Sequence, residues 1–344
     1  MVTALSSAAC TSAPAPASSL PSTTTTTTLP TPVTLSGTSE PGAAFLGSVQ
    51  RVPVMAVPDG RSSAPMPTPG SAGYPLLQQV AFRQFGSGPD LLLIMGQDGS
   101  MSWWQPSLLA MLARDYRVTV FDLPGIGYSA PALVPVTLGW LADETAGLIE
   151  VLGLSSPTVL GWGLGGDVAL ALAERHPANE RSIVLVDTSA GGAGSSRPSA
   201  EVRVAFDSPE ATPASLASTL FALASPPTGL PASALSTAAA AQSAWLSALQ
   251  TAVPDNLTPA ALAEERSVQA SVWSSPSLAD GVASVDVPTL VVYGADDDVF
   301  PAPDGLLLRR SIASSDRVVI PNAGYAALFE NPTVFVSALE QFSG

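Results

Sequence analysis

Thr158-Val159-Leu160-Gly161-Trp162-Gly163-Leu164-Gly165-Gly166 is the stretch on which the fold turns. A short apolar run that ends in glycines has the length of a buried strand. Helical spacing takes over from about Gly165 and runs to His176, where Pro177 cannot continue it. A strand that passes into a helix through glycines can turn sharply, because no side chain obstructs the backbone there.

The same alternation extends in both directions. Gln78 to Phe85 reads as a strand leading through Gly86-Ser87-Gly88-Pro89 into a second strand at Leu91 to Met95. A helix at Leu108 to Ala113, a strand at Arg117 to Phe121 and a helix at Thr137 to Leu152 follow, and Leu138, Leu141, Leu148, Ile149 and Leu152 share one face of the last. Ile183 to Val186, Thr289 to Tyr293 and Val318 to Ile320 supply later strands, and Val334, Phe335, Ala338, Leu339 and Phe342 line one side of a closing helix. Strands alternating with helices predict a parallel α/β sheet. Between about residues 191 and 284 the strand pattern stops, and Ala, Leu, Ser and Pro with Trp245 and Trp273 predict a helical lid inserted over the sheet.

Residues 1–48 carry one charged side chain, Glu40, and include the run Thr23 to Thr28. Such a segment buries too little apolar surface to offset its chain entropy, which predicts a disordered tether ahead of a folded domain at 49–344. Met1 to Cys10 (MVTALSSAAC) resembles the end of a bacterial lipoprotein signal. That resemblance implies a lipid on Cys10, membrane anchoring through it, and an exported, cell-envelope location; a cytoplasmic protein is the alternative.

The 344 residues are 46% hydrophobic and 12% charged, with 13 basic groups, all arginine, against 28 acidic ones. The resulting net charge of −15 excludes a basic nucleic-acid binder, and the apolar fraction suffices for a large core. One cysteine permits no intramolecular disulfide.

Met95-Gly96-Gln97-Asp98, Asp122-Leu123-Pro124-Gly125-Ile126-Gly127-Tyr128-Ser129, the glycine stretch above, Gly294-Ala295-Asp296-Asp297 and Ala323-Gly324-Tyr325 each follow a strand, in this order. Over residues 78 to 343 the chain thereby resembles the α/β-hydrolase superfamily, in its esterase, lactonase and cofactor-free haloperoxidase-like branch. The resemblance implies a mostly parallel eight-stranded sheet flanked by helices, with no cofactor. It also implies that Gly163 stands where relatives carry a nucleophilic serine, Tyr325 where they carry the basic histidine, and Asp297 at the retained acid. A glycine cannot form an acyl intermediate, and a phenol with an ordinary pKa of about 10 is a poor base near neutrality. The backbone N–H groups of Gln97 and Leu164 would form the oxyanion hole. Met95, Asp98, Trp103 and Trp162 are expected to line an apolar pocket, and Asp122, Gly125, Gly127 and Ser129 to shape a turn. Asp187, where some relatives place the acid, and His176, at a helix end, read as structural. Asp167 and Asp98 are further carboxylates placed near the site.

Three functions follow from this reading. One is a catalytically silent hydrolase homologue that holds a small apolar or carbonyl-bearing ligand, or a partner, in the former cleft. Another is an atypical ester or lactone hydrolase in which Asp297 or Asp98 activates water and Tyr325 donates a proton. The third is an envelope scaffold with no ligand.

Overall fold

A computed structural model describes residues 30–36, 44–57, 77–189, 191–192, 194–198, 200–206, 258–274 and 281–343. Cys10 and most of the insertion lie outside the described residues.

The strands are β1 (Val33–Thr34), β2 (Gln50–Val54), β3 (Gln78–Gly86), β4 (Asp90–Ile94), β5 (Arg117–Phe121), β6 (Thr158–Trp162), β7 (Ser182–Val186), β8 (Thr289–Gly294) and β9 (Ser315–Ile320). They form one sheet in the order β1-β2-β3-β5-β4-β6-β7-β8-β9. The first three strands and the β3–β5 pairing are antiparallel, and every later pairing is parallel. Every residue of β4, β6, β7 and β8 is buried, as expected for central parallel strands covered by helices on both faces.

The expectation of eight strands is corrected to nine among the described residues. The two-residue strand β1 lies within the stretch read as a tether, where it pairs Val33 and Thr34 with Arg51 and Gln50. The sequence hides β2 because Pro53 argues against a strand, yet β1 reaches only Gln50 and Arg51, so the rest of β2 keeps one side open where a proline is tolerated.

Helices α1 (Pro106–Leu112), α2 (Leu138–Val151), α3 (Leu164–Arg175), α4 (Ala200–Phe206), α5 (Pro259–Ser274), α6 (Ala302–Ser311), α7 (Ala327–Glu330) and α8 (Pro332–Ser343) are described. Thr137 caps α2 by accepting a hydrogen bond from the N–H of Trp140, and Gly153 beyond its end takes a positive φ. None of the helices among the described residues is long and apolar enough to cross a membrane.

Strand order reverses about β4, which lies between β5 and β6. Ligands of open α/β sheets bind in the crevice that such a reversal leaves at the carboxyl ends of the strands. The loops after β4, β6, β7, β8 and β9 carry Gln97, Gly163, Asp187, Asp297 and Tyr325 to that end of the sheet.

Candidate active site

Gly163 joins β6 to α3 with φ 54° and ψ −120°. This is the turn at which the resemblance implies a serine; a glycine takes the geometry without the Cβ penalty. The turn is fixed from below by the Gly163 N–H, which donates to the Val186 carbonyl at 3.0 Å, and by the Thr188 hydroxyl, which donates to the Gly163 carbonyl at 2.7 Å. A side chain at Gly161 would strike the backbone of Gly165, so the glycines flanking the apex are required by close approach.

Tyr325 fills the space above Gly163, and a Cβ placed on Gly163 would collide with its hydroxyl. The phenol ring stacks on Trp162 at 4.8 Å and 30°, and Trp162 donates its indole N–H to the Tyr325 carbonyl at 2.8 Å. Phe300 tilts against the Tyr325 ring at 5.7 Å and 45°. Trp162 in turn meets Phe329 edge-on, and Phe329 meets Trp104, so the plug belongs to a continuous aromatic cluster reaching into the core. Burial, followed by the nearby charges of Asp297, Asp187, Asp167 and Asp98, pushes the Tyr325 phenol well above its ordinary value. It stays protonated and is no base.

The acids lie behind the plug. Asp297 accepts hydrogen bonds from the N–H groups of Val299 at 2.7 Å and Phe300 at 3.0 Å, and its carboxyl is within hydrogen-bonding reach of Asp187. Asp187, fully buried with φ +45°, accepts from the N–H of Gly294 at 3.0 Å and of Ala327 at 3.3 Å. Burial raises both carboxyls above the usual range. Asp167, one turn into α3, accepts from Thr188 Oγ1 and Gln269 Nε2, and burial lifts its pKa to about 7 against those hydrogen bonds.

The loop after β4 is gripped by α5. Asp98, with φ +62°, donates its N–H to Glu265 at 2.6 Å, and its carboxylate accepts from Arg266 at 3.1 Å and from Gln97 Nε2 at 3.3 Å. The N–H groups of Gln97 and Leu164 make no hydrogen bond among the described residues. A cavity lined by Gln97, Gln269, Trp273, Val299, Phe300 and Tyr325 reaches this place, with about 10 Å³ of room, the size of a single water.

The structure brings together Gly163, Tyr325, Asp297, Gln97 and Leu164 at one end of the sheet. Met95, Asp98, Trp103 and Trp162, expected to line the pocket, are instead buried in packing and do not line the cavity. Asp122 shapes its turn by accepting from the N–H groups of Met101 and Tyr128. His176 caps the end of α3, its Nε2 2.8 Å from Asp143, with the twelve residues of the helix between it and the Gly163 turn. Gln269, Trp273 and Phe300 were not singled out from sequence as pocket residues. Gln269 lies four residues after Glu265, one helical turn along the same face, and that polar spacing was the available signal.

The sequence matches the alpha/beta hydrolase fold family over residues 90–332, and the chain belongs to that family. It is similar to the pimeloyl-(acyl-carrier protein) methyl ester esterase of Aeromonas hydrophila, 29% identical over 267 residues that span 77% of this chain and 99% of the relative. The enzyme of the same name from Neisseria meningitidis is 30% identical over 250 residues, 68% of this chain and 86% of its own. Among solved structures, a thermophilic esterase from Thermogutta terrifontis superimposes with a TM-score of 0.62 at 26% identity, covering 85% of this chain and 97% of that one.

Proposed function

We propose that this chain is a catalytically silent member of the family that retains the cleft as a binding place for a small carbonyl-bearing or apolar molecule. The observation that supports this reading is the Tyr325 hydroxyl standing over Gly163: residue 163 has no side chain to attack a carbonyl, and the space beside it is filled by a protonated phenol. The retained carbonyl site is supported by the Gln97 and Leu164 N–H groups, which have no acceptor among the described residues at the family's oxyanion position. Helix α5, bonded to Asp98 and Asp167, acts as part of a lid. Cys10 carries the lipid, and the tether lifts the domain from the envelope.

A second reading keeps ester hydrolysis, the activity named for the relatives, through water activated by Asp297. The elevated carboxyl pKa of Asp297 favours it. Assay with short-chain nitrophenyl esters separates the two. The native chain is expected at background, and the Gly163→Ser, Tyr325→His double variant, which rebuilds a triad with Asp297, above it. Robust native turnover that Asp297→Asn abolishes would overturn the silent reading.

A further inference from the structure

Asp187 and Asp297 come from the ends of adjacent parallel strands and meet side chain to side chain, each almost wholly withdrawn from water. Family members need one orienting acid; here both positions hold one, with no imidazole between them to orient. Two carboxyl groups within hydrogen-bonding reach require a proton between them, because two buried like charges repel strongly. The backbone supplies only acceptable partners for an anion: four N–H groups, from Gly294, Ala327, Val299 and Phe300. The remaining oxygen, Asp297 Oδ2, is buried and receives no N–H or O–H donor among the described residues.

Both partners also hold the plug. Asp187 receives the N–H of Ala327, two residues past Tyr325, and Asp297 fixes the N–H of Phe300, whose ring rests on Tyr325. The Asp296 N–H completes the brace by donating to the Ala323 carbonyl at 2.9 Å. The charged groups that bear on the pair are Asp298 beside Asp297 and Glu330 from α7; the titratable phenols of Tyr293 and Tyr325 lie near both acids, and Asp167 from α3 acts on those phenols. The carboxylates of Asp298 and Glu330 favour retention of the proton, whereas the protonated phenols carry no charge.

We propose that Asp187 and Asp297 share a single proton, and that its loss to hydroxide in alkaline solution drives the two loops apart, withdraws Tyr325 from Gly163 and opens the cleft. The admission of a carbonyl-bearing ligand by this gate rests on the function proposed above; the gate itself does not. The elevated titration of both carboxyls agrees with the shared proton.

The test uses the full chain without ligand, so its failure is distinct from a failure of the ester assay. Carboxyl carbons of labelled aspartate are followed by NMR from pH 4 to 10 together with the Trp162 indole N–H, assigned through Trp162→Phe. The pair is expected to titrate in two steps, the second well above the ordinary carboxylate range. The Trp162 signal, which reports the hydrogen bond to Tyr325, should shift and exchange with solvent at that same midpoint. In Asp297→Asn the amide donates permanently to Asp187, so the alkaline step and the Trp162 change should vanish; Asp187→Asn, tolerated at positive φ, serves if that variant does not fold. Ionisation of both carboxyls in one ordinary acidic step, a Trp162 signal unmoved by the alkaline step, or an alkaline change that persists in the Asn variant would each overturn the proposal.

Discussion

Gly163 and Tyr325 are complementary in shape. Glycine takes the φ 54° turn without a Cβ penalty, and the phenol occupies the space a side chain at residue 163 would need. Neither position is readily changed alone. Gly163→Ser introduces a Cβ at φ 54° against the Tyr325 hydroxyl, so it should cost roughly 2 to 4 kcal/mol of stability from overpacking and backbone strain. Adding Tyr325→His removes the obstructing hydroxyl and should recover much of that loss. Denaturant unfolding of the two variants measures the difference, and equal stabilities would show that the two positions are not coupled. Both identities were legible in the sequence, since each motif places its residue after a strand. That the phenol reaches across to the apex was not, because 162 residues separate them and only the sheet order makes them neighbours.

At the scale of elements, the strands announced themselves where they are buried on both faces, as in Leu91-Leu92-Leu93-Ile94. Helix α5 did not. Its Glu265 and Gln269 have the composition of a solvated face, yet both are buried because Asp98 and Asp167 await them on other elements. Burial and the neighbouring Asp98 charge push the Glu265 carboxyl well above its ordinary value, and Arg266 partly offsets this. The grip on the oxyanion loop needs an acceptor at this place rather than a charge. Glu265→Ala strands the buried Asp98 N–H and should destabilise by about 1–3 kcal/mol. Glu265→Gln keeps the acceptor and should stay within about 0.5 kcal/mol of the native chain. Denaturant unfolding gives both values, and hydrogen exchange at the Asp98 amide should quicken in the alanine variant alone. Loss of protection in both would mean that the charge, not the acceptor, holds the loop.

For the whole molecule, the formal charge of −15 overstates the charge carried near neutrality. Burial raises Glu144 and Glu180 to about 8 and Glu330 to about 7, as it does Asp167. Glu144 is the plainest case, since neither of its oxygens has a hydrogen-bond partner among the described residues and desolvation alone acts on it. These folded-state values exceed the unfolded ones of about 4, so the native state binds more protons between roughly pH 4 and 8. The stability this contributes is fully present below the unfolded pKa and is lost as pH rises through the folded one. Asp90 works in the opposite sense: its desolvation is outweighed by hydrogen bonds from Arg117 and the Ser155 N–H, which lower it. Its contribution is complete above pH 4 and disappears only on acidification through the lowered value, so it does not offset the alkaline loss. The melting temperature should therefore peak near pH 5 and fall progressively toward pH 9. Glu144→Gln, which has nothing to ionise at that site, should flatten part of the decline. Thermal scans of the native chain and this variant at fixed ionic strength test the argument, and a native melting temperature that rises from pH 5 to pH 8 would show that these carboxyls ionise without cost inside the fold.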